Sequence, residues 1–308
     1  MTATRIAIVG VGKIARDQHI PAIEASPDLT LTATASRNGQ VDGIPAYPDI
    51  DAMLAAEPDL QAISLCQPPS ARHAAARSAI AAGKHVFLEK PPGATLSDVE
   101  DLCAAADAAG VVLFASWHSR WAAAVEPARD WLASRTIRSV EIAWKEDVRK
   151  WHPGQDWIWQ PGGFGVFDPG INALSILTRI LSGPVRLEAA TMEVPANRAS
   201  PIAAELTMRS AGGAPIHAVF DWRQTGPQSW DISVETDGGT LVLADGGNRL
   251  TIDGAPHDVP ADREYPALYD RFAKLIAEGR SDVDLAPLTL VADAFMVGAR
   301  VTTDAFED

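Results

Sequence analysis

Cysteine is nearly missing from this chain: Cys66 and Cys103 are the only two in 308 residues. Two thiols in strand-like and helix-like segments make no disulfide framework, and no Cys/His spacing points to zinc. Both read as reduced packing residues, and no metal is expected. Basic residues are also in short supply. Lys and Arg total 26 against 40 Asp and Glu, a formal net charge of −14. That balance argues against nucleic acid, because phosphate binding needs clustered cations. No block of like charge marks a disordered tail. No run approaches the ~20 uninterrupted apolar residues of a spanning helix, so no membrane partner is expected. A basic leader with a cleavable apolar segment is missing ahead of the strand Ile6-Ala7-Ile8-Val9, and a cytoplasmic location is the expectation. Core material is abundant: 47% of residues are hydrophobic and 21% charged, enough for one large domain or two ordinary ones.

Up to about Ser116 the pattern alternates strand and helix, which implies a parallel sheet covered on both faces. Strands are expected at Arg5–Val9, Leu29–Ala35, Leu60–Cys66, His85–Leu88 and Val111–Ala115. Between them come a first helix that Pro21 interrupts or restarts, a helix at Asp49–Ala56, and an Ala-rich helix at Ser70–Ala82 stopped by Gly83. Thr95 and Asp98 form a capping box for a helix ending at Gly110. After Trp117 the rhythm changes. Helices are expected at Glu126–Ala133 and Val166–Leu181, and strands at Ile137–Val148, Val185–Val194, Ala203–Met208, Ile216–Trp222, Asp231–Glu235 and Thr240–Ala244. Turns such as Asp237-Gly-Gly239 and Asp245-Gly-Gly247 are hairpin chemistry for an antiparallel sheet. Two amphipathic helices, roughly Pro266–Glu278 and Pro287–Thr303, close the chain. The expected fold is therefore α/β. A Rossmann dinucleotide-binding domain spans 1–118, and an α+β domain with a large, mostly antiparallel open sheet spans 119–308. The last helix is free to pack back on the first domain.

Gly10-Val-Gly12-Lys13-Ile14-Ala15 fits the G-x-G-x-x-A dinucleotide fingerprint. Gly10 permits the tight turn, Gly12 lets a pyrophosphate approach the backbone, and Lys13 and Ile14 open the helix whose N-terminus favours the anion. The pattern follows an apolar strand and opens a helix, the context that separates it from a plain strand-to-helix turn. The end of the second strand should carry Asp or Glu if the ribose has a free 2′-hydroxyl. Here it reads Ala35-Ser36-Arg37-Asn38. Arg37 can pair with a 2′-phosphate while Ser36 donates a hydrogen bond, which favours NADP over NAD. If Arg37 is a solvated loop residue, NAD serves too.

Lys90 follows the apolar run Val86-Phe87-Leu88-Glu89 and precedes Pro91-Pro92. It stands at the carboxyl end of a strand, where open α/β sheets hold their ligands. The prolines fix the departing chain, and a cis Lys90–Pro91 bond is expected against its low base rate. Asp168, in Asp168-Pro-Gly-Ile-Asn172, offers a carboxylate that can share a proton network with that lysine.

These residues resemble a known family. Gly10-Val-Gly12-Lys-Ile-Ala15, His19-Ile-Pro21-Ala-Ile23 and Ala82-Gly-Lys-His-Val-Phe-Leu-Glu89-Lys90-Pro91 are similar to the glucose–fructose oxidoreductase/inositol dehydrogenase family. The likeness extends along the chain to Asp282-Val-Asp-Leu-Ala-Pro-Leu288. Phe114-Ala-Ser-Trp-His118-Ser-Arg120, Trp144-Lys-Glu146-Asp147, Trp151-His152 through Trp159, and Phe167-Asp168 through Ser175 resemble its bacterial aldose 1-dehydrogenase branch. The resemblance implies an NAD(P)-dependent oxidation of the anomeric carbon of L-arabinose or D-galactose to the aldonolactone. It implies Asp168 as general base and Lys90 stabilising the C1 oxygen. Glu89 joins Lys90 on the cofactor side, and Glu146, His152 and Asn172 hold sugar hydroxyls. His118, Trp151 and Trp230 stand at the margin of the substrate set, and a homodimer or larger homo-oligomer is expected. Asn172 departs from the family's usual His, which leaves Asp168 the better base.

Plainer roles compete. Asp168 can cap its helix, His152 can be a satisfied structural histidine, and Glu146 can pair with Lys145 or Arg149 at the surface. The same architecture also serves NADP-binding sugar sensors without turnover, and reductases or dehydrogenases of other sugars or polyols.

Overall fold

The computed structural model describes residues 3–307 as two compact units. The first runs up to His118 and is joined by Tyr265–Asp284; the second holds Ser119–Glu264 and the residues from Leu285 onward.

The first unit is a six-stranded, wholly parallel sheet: β1 (Thr4–Val9), β2 (Leu29–Ala35), β3 (Ala46–Tyr47), β4 (Ala62–Leu65), β5 (His85–Glu89) and β6 (Leu113–Ser116). The spatial order is β3-β2-β1-β4-β5-β6. The order reverses between β1 and β4, so the crevice at their carboxyl ends is the natural ligand position. A parallel sheet needs cover on both faces. Helices α2 (Ile50–Ala56), α3 (Pro69–Ala81) and α4 (Leu96–Ala109) cover one, burying Met53, Ala76, Ile80 and Leu102. The other is covered by α1 (Ile20–Glu24) and by α8 (Glu264–Glu278), whose Tyr265, Leu268, Tyr269, Phe272 and Leu275 pack on Ile6, Ile8 and Phe87. The helix that completes this unit is thus the penultimate one; the last helix belongs to the second unit.

Pro21 restarts the first helix, as the sequence suggests. The turn before it, Ala15–His19, is widened, with the N–H of Ile20 donating to the Ala15 carbonyl five residues back. A proline lacks the N–H for the carbonyl four residues back and its ring crowds that carbonyl; the wide turn makes room. Thr95 Oγ1 accepts from the Asp98 N–H at 3.1 Å, and Gly110 ends α4 at φ 66°.

The second unit is a nine-stranded sheet built from β7 (Ile137–Lys145), β8 (Val185–Pro195), β9 (Ala203–Ser210), β10 (Pro215–Asp221), β11 (Ser229–Thr236), β12 (Gly239–Ala244), β13 (Arg249–Ile252), β14 (Ala255–His257) and β15 (Ala299–Thr303). Pairing is antiparallel except for β7 with β10 and β8 with β15. Alternation sets the two faces. Val140, Ile142, Trp144, Leu206, Ala218, Phe220, Ile232 and Val234 are buried under α5 (Val125–Leu132), α7 (Phe167–Ile180) and α9 (Ala286–Val297). The opposite face carries Glu141, Glu205, His217 and Ser233, with His217 bridging Glu141 and Glu205 at 3.0 and 2.8 Å.

Two expectations give way here. The closing helix ends at Val297, where Gly298 turns extended, and Ala299–Thr303 become β15 beside β8. The β-branched run Val301-Thr302-Thr303 suits a strand better than a last helical turn. The strand begun at Ile137 stops at Lys145, because Asp147 caps a short helix, α6 (Val148–Trp151), by accepting the Arg149 N–H at 3.0 Å. Among the described residues, no helix is long and apolar enough to cross a membrane.

Candidate active site

In the first unit, Gly10 follows β1 with φ 92°, a region that disfavours side chains. A Cβ there would also sit 3.0 Å from the Gln67 backbone nitrogen, whereas one on Gly12 would meet nothing within 4 Å. The first glycine lets β1 and β4 come together, and the second keeps the concave side open. That is the shape a pyrophosphate needs over the start of a helix, so these residues fit a dinucleotide. Lys13 lies on the surface paired with Asp17, and Ile14 is 37% exposed. Ser36 is half-buried just past β2, its N–H donating to the Tyr47 carbonyl at 3.0 Å, and Arg37 is exposed beside it.

Lys90 is half-buried at the end of β5, and the Lys90–Pro91 bond is cis. Arg72, 2% exposed on α3, donates to the carbonyls of Gln67, Glu89 and Pro91 and so clamps the loops that leave β4 and β5. Glu89 departs from its expected cofactor role. Its carboxylate is 4% exposed and turned into the unit, accepting from Tyr265 Oη at 2.7 Å, Ser116 Oγ at 2.8 Å and the Lys90 N–H. His19, wholly buried, has Nε2 3.9 Å from Glu89 and Nδ1 2.7 Å from Tyr269 Oη. Burial opposes charge on both groups. It is outweighed at Glu89 by the charges of His19, His118 and Lys90, which hold the carboxyl well below its usual range. At His19 it is outweighed by Cys66, Tyr269 and Glu89, which raise the imidazole well above its ordinary value. Both directions favour charge on the buried His19–Glu89 pair, which adjoins the segment that carries Lys90. His118 closes this unit at the end of β6, stacked on Tyr265 with centroids 5.4 Å apart.

The second unit gathers the remaining candidates. Glu146 follows β7, where its N–H donates to the Asp221 carbonyl at 2.9 Å, and it is 5% exposed. His152 terminates α6, and Asp168, 5% exposed, lies in the first turn of α7. Gly170 sets that helix close to the sheet, since a Cβ there would meet the Phe220 ring at 2.9 Å. His152 Nε2 stands 3.7 Å from Glu146 Oε1 and 3.8 Å from Asp168 Oδ2. Its Nδ1 is buried without a hydrogen-bond partner. Each Glu146 oxygen takes an indole N–H: Trp222 at 3.3 Å and Trp230 at 2.9 Å. Glu146 is thus a buried, doubly held acceptor, in place of a surface partner for Lys145 or Arg149. Asp168 does not cap its helix, which starts from Val166 without a side-chain cap. Asn172, one turn on and half-buried, shares the Asp168 side of α7. Trp151 and Trp230 meet edge-to-face at 5.3 Å. The sequence reading missed Trp222, whose ring also lies 5.2 Å from His152; only its place two residues beyond Phe220, on the buried phase of β10, hinted at it. It also missed Tyr265 and His19 as supports of the lysine segment.

A dinucleotide cradle at a topological switch point, a strand-end lysine and a histidine between two carboxylates define a pyridine-nucleotide oxidoreductase. Residues 4–116 match the family described as "Oxidoreductase family, NAD-binding Rossmann fold", the GFO_IDH_MocA family. Over 312 aligned residues, covering all of both chains, the sequence is 46% identical to a galactose 1-dehydrogenase of Pseudomonas fluorescens. The crystal structure of a D-galactose-1-dehydrogenase from Rhizobium etli superposes with a TM-score of 0.96 at 60% identity, covering 100% of this chain and 99% of that one. A 3-ketoreductase of Actinomadura kijaniata, solved with NADP and TDP-benzene, shares the fold at a TM-score of 0.84 and 19% identity, covering 98% of this chain and 100% of that one. The chain belongs to the glucose–fructose oxidoreductase/inositol dehydrogenase family.

Proposed function

We propose that this protein is an NADP-preferring aldose 1-dehydrogenase that oxidises the anomeric carbon of D-galactose and L-arabinose to the aldonolactone. The observation that carries the reading is the Glu146–His152–Asp168 cluster, in a chain 46% identical from end to end to a galactose 1-dehydrogenase. When bound, the oxidised nicotinamide accepts the hydride from C1. Asp168 takes the proton of the C1 hydroxyl as the C1–H electron pair leaves and the C1=O bond forms. The Lys90 ammonium steadies the negative charge that grows on that oxygen. His152, within 4 Å of both carboxylates, is placed to pass the proton onward from Asp168. Glu146 offers a sugar hydroxyl an acceptor whose position two indole donors fix. Asn172 supplies a neutral donor and acceptor from the next turn of α7.

The two sugars share their ring-hydroxyl configuration and differ by a hydroxymethyl group, so one set of polar partners serves both. Arg37 and Ser36 favour the 2′-phosphate of NADP, and NAD remains usable. The helix-free face of the nine-stranded sheet is the surface through which a homodimer or larger assembly forms. The test is Asp168→Asn, which removes the base at constant size. We expect kcat on D-galactose to fall on the order of 10²–10⁴-fold, with KM little changed. Unchanged kcat refutes Asp168 as base and moves the role to His152.

A further inference from the structure

A cavity of about 410 Å³ lies in the second unit, lined by Trp151, Trp230, Asp231, Asp245, Arg249 and Lys150. That volume falls within the roughly 300–1,000 Å³ of small-molecule sites. One wall is shared with the cluster just described, because Trp230, whose N–H holds Glu146 at 2.9 Å, also borders the cavity. Its neighbour Trp151, which meets it edge-to-face, is 40% exposed but firmly held. Its N–H donates to Gln228 Oε1 at 3.3 Å, which also accepts the Asp147 N–H at 2.7 Å, while Gln228 Nε2 donates to the Gln224 and Gly226 carbonyls at 3.2 and 2.6 Å. A fixed, partly exposed indole, with Lys150 Nζ 4.8 Å from its ring centroid, offers a sugar an aromatic surface and a cationic donor side by side.

The rim is built with equal care. Asp245 has φ 56°, in the left-handed region where its neighbours Gly246 and Gly247 also sit. Aspartate adopts this conformation more readily than most non-glycine residues, and Asp245 borders the cavity. The turn is pinned from outside the hairpin: the Ala124 N–H donates to the Gly247 carbonyl at 2.8 Å, and the Ala123 N–H to Asn248 Oδ1 at 3.2 Å. Burial pushes the Asp231 carboxyl up while Arg249 pulls it back. Lys150 and Arg249 balance Asp231 and Asp245 in charge, which selects a neutral, hydroxyl-rich ligand over an anionic one.

We propose that this cavity is a second saccharide subsite, which receives a pyranose joined to the end of the aldose remote from C1. The substrate class then includes reducing disaccharides whose reducing unit is galactose. The chemistry is unchanged: C1 of that unit loses hydride to the cofactor and its hydroxyl proton to Asp168, and the glycosidic bond stays intact. The inference rests on the proposed aldose 1-dehydrogenase activity.

The experiment compares D-galactose with 4-O- and 6-O-β-D-galactosyl-D-galactose, using wild type, Asp245→Gly and Arg249→Ala. Asp245→Gly removes the carboxylate while suiting the turn, and Arg249→Ala guards against a folding artefact in the first variant. At least one disaccharide should match or exceed galactose in kcat/KM. Both variants should lower kcat/KM for that disaccharide about tenfold, as loss of a charged hydrogen-bonding partner does, and leave galactose unchanged. A parallel titration follows tryptophan fluorescence with the methyl glycosides of both disaccharides, which cannot be oxidised. Quenching that the two variants weaken supports the subsite. Turnover of galactose with neither oxidation nor binding of the disaccharides overturns the inference and leaves the proposed activity standing. If no aldose is oxidised, the activity fails, and the titration alone decides the subsite.

Discussion

Removing one oxygen atom tests the support behind Lys90. Tyr265→Phe deletes the hydroxyl that donates to Glu89 at 2.7 Å and keeps the ring. The ring contacts with His19, at 4.9 Å, and His118, at 5.4 Å, therefore survive, so packing loss is minor. What remains is an ionised carboxylate, 4% exposed, with one donor fewer. A hydrogen bond to a charged group contributes about 1.5–3 kcal/mol. At about 2.1 cal/mol/K per residue, a chain of 308 residues loses roughly 1.5 °C of Tm per kcal/mol, so a fall of about 2–5 °C at pH 7 is expected. The pH dependence has a definite sign. Glu89 is depressed in the folded state, so its stabilisation is full above the unfolded value near 4.3 and is lost as pH falls through the folded value. Losing the Tyr265 donor brings the folded value back toward the unfolded one. The unfolded value is common to both proteins, so the gap is widest at neutral pH and narrows only as pH falls through the variant's own folded value, below the unfolded one. Thermal unfolding followed by circular dichroism from pH 3.5 to 8 measures both effects. A shift under 1 °C at pH 7, or a gap that widens in acid, refutes a buried, ionised Glu89 held by Tyr265.

Other outcomes follow from the same geometry. Arg37→Ala should raise KM for NADP by about tenfold or more, as loss of a charge-assisted phosphate contact does, and leave KM for NAD nearly unchanged; equal effects on both in steady-state assays remove Arg37 from the cofactor reading. Trp230→Phe deletes the donor held 2.9 Å from Glu146. KM for galactose should rise about tenfold with a smaller change in kcat, and an unaltered KM would place Glu146 outside the sugar's reach. Arg72→Met leaves three strand-end carbonyls without their donor, so kcat should fall while the Kd for NADP, read by calorimetry, stays within about threefold. A loss confined to NADP affinity would assign Arg72 to the cofactor instead.

Much of the fold was legible because it rests on local signals. The strand–Gly turn–helix at Gly10, the N-cap at Thr95 and the alternation along β7 to β12 each follow from periodicity and turn chemistry within a dozen residues. The closing strand was misread because the apolar period of α9 runs on across Gly298, and only pairing with β8, more than 100 residues upstream, makes Ala299–Thr303 extended. The return of α8 to the first unit is likewise a long-range event: Phe87 and Tyr269 stack at 4.8 Å although no local pattern links them. The site divides in the same way. Lys90 and Asp168 stood out from their own settings, whereas Glu146 and His152 became candidates only through the resemblance to the family. Glu89 was grouped with the cofactor residues because a strand-end carboxylate beside a lysine reads the same whether it faces solvent or core. Trp222 and Tyr265 were overlooked because an aromatic gains its role only from the carboxylate it meets, and in both cases that carboxylate is distant in sequence.

The central claim is tested most directly by following reduced-nicotinamide absorbance when purified protein meets NADP and a panel of aldoses, with the product identified by NMR. The account predicts reduction with D-galactose and L-arabinose, the aldonolactone as first product, and slower turnover with NAD. Absence of reduction across the panel, or oxidation at a carbon other than C1, would contradict it.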